Sequence, residues 1–276
     1  MDENRVNGEQ GEAAPSSVSP KKKIDLLWLL CMGLCIGVFA YSAWQLLGYW
    51  QEVRSSENFV SDLAQQTVTL KTPEPASSGQ TQQEEPAETA PIAVDFAALQ
   101  AQNAEVVAWL YCPDTVINYP VAQSTNNSKY LYTLLDGTSN QNGTLFMDFR
   151  SEADFSHANT ILYGHNMKSG KMFGTLDLYK SQSYFDEHPL WYLLTPQGDY
   201  KLEIAAGWVT QDNDPLYVIP AGQEEIERLL QDADRKSAFD SGITLSTEDK
   251  LVTLSTCSYE NEKARYVLLG RLVPLG

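Results

Sequence analysis

Apolar residues are spread unevenly along this chain, and their spacing changes character twice. Residues 24–49 are almost wholly apolar, with Asp25 at one edge and Gln45 near the other. A run of this length can cross a hydrocarbon core of about 30 Å as one helix. It is longer than the apolar core of a cleaved secretory leader, and Trp44-Gln-Leu-Leu-Gly makes a poor small-residue cleavage site. The expectation is an uncleaved transmembrane anchor over 24–49. Lys21, Lys22 and Lys23 stand just before it, which predicts a cytoplasmic tail over 1–23 and everything after the anchor outside the cell. Residues 71–91 are rich in Pro, Glu, Gln, Ser and Thr and have almost nothing to bury, so they are expected to stay disordered. Residues 50–70 either extend the membrane helix or form a loose one; 50–92 as a whole read as an extracellular linker, partly disordered, and 93–276 as one folded domain large enough for a sizeable core.

Within that domain the pattern turns to short runs of β-branched, aromatic and aliphatic residues between polar breaks. They predict strands at 105–111, 116–122, 144–149, 159–163, 190–195, 200–209, 251–257 and 264–273. Eight short strands suggest a mainly β barrel or sandwich. Pro120 marks an edge or a bulge in its strand. Asp95 caps a short helix running to Leu99. One clear helix over 222–236 places Ile226, Leu229, Leu230 and Ala233 on a single face, inside the long connection between two strands.

Charge narrows the range of partners. Residues 93–276 hold 13 basic and 24 acidic side chains, a net −11. A nucleic-acid binder needs a basic stripe, and this domain has the opposite balance. An acidic surface mildly favours a basic or amine-bearing partner. Of four cysteines, Cys31 and Cys35 lie in the predicted anchor, and Cys112 ends an apolar strand before Pro113. No Cys/His spacing suggests zinc, and no acidic loop has the spacing of an oxygen-ligand site.

Cys257 differs from the others. It closes the run Leu251-Val-Thr-Leu-Ser-Thr-Cys257, and Arg265 opens the next strand after the short polar loop 258–263. Closing this hairpin brings the cysteine and arginine ends about 5 Å apart in the backbone. A thiol, the most easily ionised of the common nucleophiles, then sits beside a permanent cation whose fork of donors suits an anionic oxygen. Three histidines could join them. His165 stands where a strand ends and a Gly-rich turn begins, in Leu162-Tyr-Gly-His-Asn, a place from which an imidazole can project into a cleft. His157 precedes the same strand, and His188 has the surroundings of a surface turn.

Three blocks, Tyr163-Gly-His165-Asn, Thr253-Leu-Ser-Thr-Cys257 and Arg265-Tyr-Val-Leu, resemble the signatures of the sortases, membrane-anchored cysteine transpeptidases of Gram-positive-type bacteria. Val106-Val-Ala-Trp-Leu through Ile117-Asn-Tyr-Pro-Val, Gly143-Thr-Leu-Phe-Met-Asp-Phe-Arg150 and the helix-bearing insertion resemble the class B branch. The likeness covers about residues 93–274. Ser258 departs from it, since many class B members carry an acidic residue after the cysteine. The resemblance implies a closed eight-stranded β-barrel with flanking helices, preceded by a single transmembrane helix. It implies Cys257 as nucleophile, His165 as acid/base and Arg265 as transition-state clamp, with no cofactor and no metal. It also implies the substrates. These are secreted proteins with a C-terminal sorting signal of the Asn-Pro-x-Thr type, cut after Thr, and an amine of the peptidoglycan precursor as acceptor. Candidate substrate contacts are Ser255, on the strand face of Cys257, with Thr256, Leu131 and Tyr217. Rival readings are a pilus-polymerising sortase, a membrane-tethered cysteine hydrolase and a non-catalytic anchored binding protein.

Overall fold

The computed structural model describes residues 26–71, 88–257 and 263–276. It divides into two compact units, residues 1–48 and 49–276. The helix α1, Leu26–Thr67, contributes to both. Its part within the first unit is apolar and exposed all round, and α1 is the one described helix long and apolar enough to cross a membrane. Residues 1–23, expected as a tail, lie outside the described residues.

The second unit starts much earlier than residue 93. Residues 49–67 continue as helix and bury Ser56, Leu63 and Thr67, with Val60 packed against the core. These four positions follow helical spacing, so this stretch has one face to bury. Strand β1 (Val68–Leu70) then pairs antiparallel with β2 (Ile92–Val94), and Asp95 N donates to Thr67 O at 2.8 Å. The segment 50–92, expected as a partly disordered linker with helix allowed over 50–70, is therefore ordered at both ends. Its middle, 72–87, lies outside the described residues.

Eight strands close the barrel: β3 (Val106–Tyr111), β4 (Asn118–Ala122), β5 (Leu145–Met147), β6 (Asn159–Tyr163), β7 (Leu190–Thr195), β8 (Gly198–Gln211), β9 (Leu251–Cys257) and β10 (Ala264–Pro274). Their order around the wall is β10-β8-β7-β3-β4-β5-β6-β9, with β9 pairing back onto β10. Pairing is antiparallel except for β4 with β5 and β6 with β9. The closed eight-stranded barrel expected above is the fold observed. Pro120 lies inside β4, yet pairing with β5 begins only at Val121, so the strand is locally an edge where the N–H is missing. The β3–β4 ladder carries its irregularity between Val106 and Ala108.

Strand alternation sorts side chains between the barrel interior and its outer wall. On β9, Val252 and Leu254 join the interior core, whereas Leu251 belongs to an outer cluster; on β10, Tyr266 and Leu268 point in, and Val267 and Leu269 point out. Helix α4 (Gln223–Lys236) covers that outer cluster with Ile226, Leu229 and Ala233. Leu230, expected on the same face, is only half-buried at its margin. Two short helices complete the set: α2 (Phe96–Gln102), capped by the Asp95 side chain on Ala98 N at 2.9 Å, and α3 (Gln182–Glu187).

Candidate active site

The parallel pairing of β6 and β9 makes the site possible. Both strands run the same way, with Tyr163 opposite Ser255, so their C-terminal ends leave the barrel together. Gly164 and His165 follow one end, and Cys257 terminates the other. Beside them, Arg265 at the start of β10 is the register partner of Cys257. Period-two alternation puts Ser255, Cys257 and Arg265 on the outer wall with Leu251 and Val267. The α4 connection buries this wall as far as Ser255, and Cys257 is its first exposed residue. The hairpin loop 258–262, including Ser258, lies outside the described residues.

These groups face one groove of about 510 Å³. All seven residues singled out from the sequence line it: Leu131, His165, Tyr217, Ser255, Thr256, Cys257 and Arg265. His165 is held on both sides. Its Nε2–H donates to Leu131 O at 2.7 Å, a bond that requires the proton on that nitrogen. Its own carbonyl accepts from Phe173 N at 3.0 Å, and the Tyr132 ring lies 5.9 Å away, tilted by 40°. Arg265 Nη1 donates to Ala264 O at 3.0 Å, and Nη2 lies 3.8 Å from Asp212 Oδ2. The guanidinium thus contacts both a backbone carbonyl and a carboxylate.

The second tier of contacts sets the backbone. Thr256 turns away from the Cys257 face, and its hydroxyl donates to Gly164 O at 2.7 Å, tying the histidine turn to β9. Asn166 Nδ2 donates to Cys257 O at 2.7 Å, which fixes the end of the cysteine strand. Tyr217 comes from the insertion, at the end of the short 3₁₀ turn Pro215–Tyr217, and its hydroxyl lies 2.8 Å from Ser255 Oγ. Burial pushes the Tyr217 phenol up to about 12, so it stays protonated across the neutral range.

The other histidines and cysteines are elsewhere. His188 ends α3 with its ring 4.6 Å from Tyr184, and neither it nor His157 lines the groove. Cys112 is fully buried after β3, and burial pushes its thiol up to about 11, the reverse of what a nucleophile needs. Cys31 and Cys35 are exposed on the apolar part of α1. Sequence reasoning passed over Asn127, Asp148, Arg150, Asn166 and Asp212. Asn166 adjoins His165 in the same motif, and Asp148 with Arg150 ends the Gly143–Arg150 block, so position in those motifs was the available signal.

Comparison with known proteins agrees with this architecture. A family model described as a sortase domain matches residues 110–273. Sortase B of Listeria monocytogenes is 31% identical over 242 residues, covering 86% of this chain and 93% of the relative. Sortase B of Staphylococcus aureus is 30% identical over 181 residues, covering 64% and 74%. Among solved structures, a Staphylococcus aureus sortase B–substrate complex superposes with a TM-score of 0.62 at 29% identity, covering 66% of this chain and 85% of that one. Bacillus anthracis sortase B in complex with AAEK1 gives 0.66 at 28% identity, covering 82% and 99%. The family model and these relatives make the chain a sortase-type cysteine transpeptidase. The chain belongs to the sortase family, in its class B branch.

Proposed function

We propose that Cys257 is the nucleophile, His165 the acid/base and Arg265 the clamp of this transpeptidase. The Cys257 thiolate attacks the carbonyl carbon of a threonine in the substrate's sorting signal. His165 gives a proton to the departing amine, a step that a poor leaving group requires. Arg265 donates to the oxyanion that forms in between, or to the neighbouring substrate backbone, through a fork a point charge cannot reproduce. An incoming amine then attacks the thioester carbonyl, His165 takes its proton, the C–S bond breaks, and the thiolate and protonated imidazole are restored. The observation that carries this reading is the cross-strand pairing of Cys257 with Arg265 in the groove that His165 also lines.

The proposed substrate is a secreted protein with an Asn-Pro-x-Thr-like C-terminal signal, and the proposed acceptor is an amine of the peptidoglycan precursor. Residues 1–23 are the proposed cytoplasmic tail, with the catalytic unit outside and the N-terminal apolar helix in the membrane. Anchoring confines enzyme and substrate to one plane and raises their effective concentration. Ser255, Thr256, Leu131 and Tyr217 are the proposed walls of the signal's subsites.

The test uses the full chain in detergent with an Asn-Pro-Ala-Thr-Gly peptide and triglycine. Intact-mass measurement is expected to find a peptide acyl group on Cys257 and, with triglycine, an amide-linked product. Cys257→Ala should form neither. Unchanged turnover after alkylation of Cys257 would overturn the assignment. Release of free acid alone at saturating triglycine would favour the hydrolase.

A further inference from the structure

Behind the groove wall lies a carboxylate that reaches neither solvent nor substrate space. Asp148, one residue past β5, is 0% exposed and is not among the groove-lining residues. Both of its oxygens are filled. Oδ1 accepts from Arg150 N at 3.0 Å and Arg150 Nε at 2.9 Å. Oδ2 accepts from Arg150 Nη2 at 2.8 Å, Asn127 Nδ2 at 2.9 Å and the Tyr163 hydroxyl at 2.9 Å. All three donor residues line the groove. Two of them continue to Tyr217: Arg150 Nη2 donates to Tyr217 O at 3.2 Å, and the Tyr163 ring stacks on the Tyr217 ring at 6.4 Å and 15°. Tyr217 in turn reaches Ser255, two residues before Cys257.

Burial alone would push the Asp148 carboxyl up. The hydrogen bonds from Arg150, Asn127 and Tyr163 outweigh it and hold the group below the usual carboxylate value, so it is charged at neutral pH. A buried ion pair is weak evidence for stability, because apolar replacements of similar volume are often as stable. What this one does is geometric. It converts three side chains from separate elements into one braced wall, and it holds the half-exposed Arg150 inward over the insertion's backbone.

We propose that Asp148 is a positioning residue for substrate recognition, fixing Asn127, Arg150 and Tyr163 and, through the last two, Tyr217, so that the bound signal peptide stays in register with Cys257. The inference rests on Cys257 being the nucleophile. Asp148 touches no substrate itself. Asp148→Asn keeps the volume but puts an N–H₂ where donors from Arg150, Asn127 and Tyr163 now converge, so at least one of them must turn away.

The experiment compares full-length wild type and Asp148→Asn on the Asn-Pro-Ala-Thr-Gly peptide, with Cys257 alkylation by iodoacetamide measured in parallel. Alkylation reads the thiol and the fold without using the peptide subsites. The expected result is an alkylation rate within about two-fold of wild type, KM raised by about ten-fold and kcat changed much less. KM and kcat both as in wild type would overturn the proposal. So would kcat and alkylation falling together with KM unchanged, since that pattern reports a structural role alone. If Asp148→Asn does not fold, Arg150→Gln reads the same brace and should raise KM likewise; an unchanged KM there overturns the proposal. The underlying reading fails separately, if Cys257→Ala still cleaves the peptide.

Discussion

Cys257 and Arg265 are direct cross-strand partners on β9 and β10, so the thiol and the guanidinium leave the barrel on the same face. The guanidinium is already oriented by Ala264 O and Asp212 before any substrate arrives. Preorganised donors of this kind are worth most in the transition state, because nothing need reorganise as charge develops. Arg265→Lys keeps the charge and loses the planar fork. We expect kcat/KM on the signal peptide to fall by about 10²–10³, with the alkylation rate of Cys257 little changed. Full activity of purified Arg265→Lys would remove the clamp role.

The hydroxyls of Tyr217 and Ser255 pair within the groove lining, Ser255 standing two residues before Cys257 on its strand. Tyr217→Phe deletes one partner and keeps the ring that stacks on Tyr163. The expected stability loss is about 1 kcal/mol, the usual net worth of one hydrogen bond. The larger effect should be on KM, by several-fold, as the insertion loosens over the peptide. Because the phenol titrates near 12, the wild-type activity profile between about pH 6 and 9 should carry no step from this group. Equal KM values for Tyr217→Phe and wild type would show that the pair does not shape the subsite.

Much of this architecture was legible in the residues themselves, for a simple reason. Strands β6, β7 and β9 fall at the bounds their apolar runs predict, because each is buried along nearly its whole length and ends at a polar turn. The Cys257–Arg265 pairing followed from hairpin closure alone. The helix over 49–67 was legible only as an extension of the anchor or a loose helix; its packing was not, since two of its three buried residues, Ser56 and Thr67, are polar, and Ser56 is met by Asn142 Nδ2 from a distant part of the chain. Asp148 was missed for a related cause. A lone carboxylate in a sequence reads as surface, and only the fold brings Asn127, Arg150 and Tyr163 around it. Tyr217 was placed in the groove only by its position in the insertion; its ladder to Ser255 is a tertiary contact with no local signature.

Gly143 links the chain before β5 to the histidine. Its φ is +60°, and a Cβ there would lie 2.3 Å from Tyr130 O and 2.6 Å from Leu131 O. Leu131 O is the acceptor of the His165 Nε2–H. Gly143→Ala therefore carries a left-handed backbone penalty of roughly 1 kcal/mol and a backbone clash that cannot be relieved by rotating a side chain. Shifting the Leu131 carbonyl unseats the imidazole. If His165 is the acid/base proposed above, turnover should drop by at least about ten-fold even well below the melting temperature, since misplacing a reacting group by about an ångström is costly. Gly137→Ala is the internal control: φ is +86°, but nothing lies within 4 Å of the added methyl, so stability should fall while turnover holds. Equal turnover in Gly143→Ala and Gly137→Ala would break the link between Leu131 and His165.

The buried thiol of Cys112 should make the fold sensitive to alkali. Its Sγ lies 3.8 Å from both Pro113 O and Leu190 O, with no room for a hydrated anion, and burial pushes it from an ordinary value near 9 up to about 11. The folded state holds the neutral thiol, whereas the unfolded chain ionises first. A raised pKa of this sign gives stability that is fully present below pH 9 and is lost as pH rises from 9 toward 11. The slope approaches at most about 1.4 kcal/mol per pH unit while the unfolded thiol is ionised and the folded one is not. Buried tyrosines, Tyr119 and Tyr179 among them, add losses of the same sign over the same interval in both proteins, so the difference between wild type and Cys112→Ala isolates the thiol. Urea denaturation of the full chain at about pH 8, 9 and 10 should show wild type losing stability across that interval. Cys112→Ala should start lower, by the cost of a small cavity, and fall less steeply. Parallel slopes for the two proteins between pH 9 and 10 would rule out Cys112 as the source.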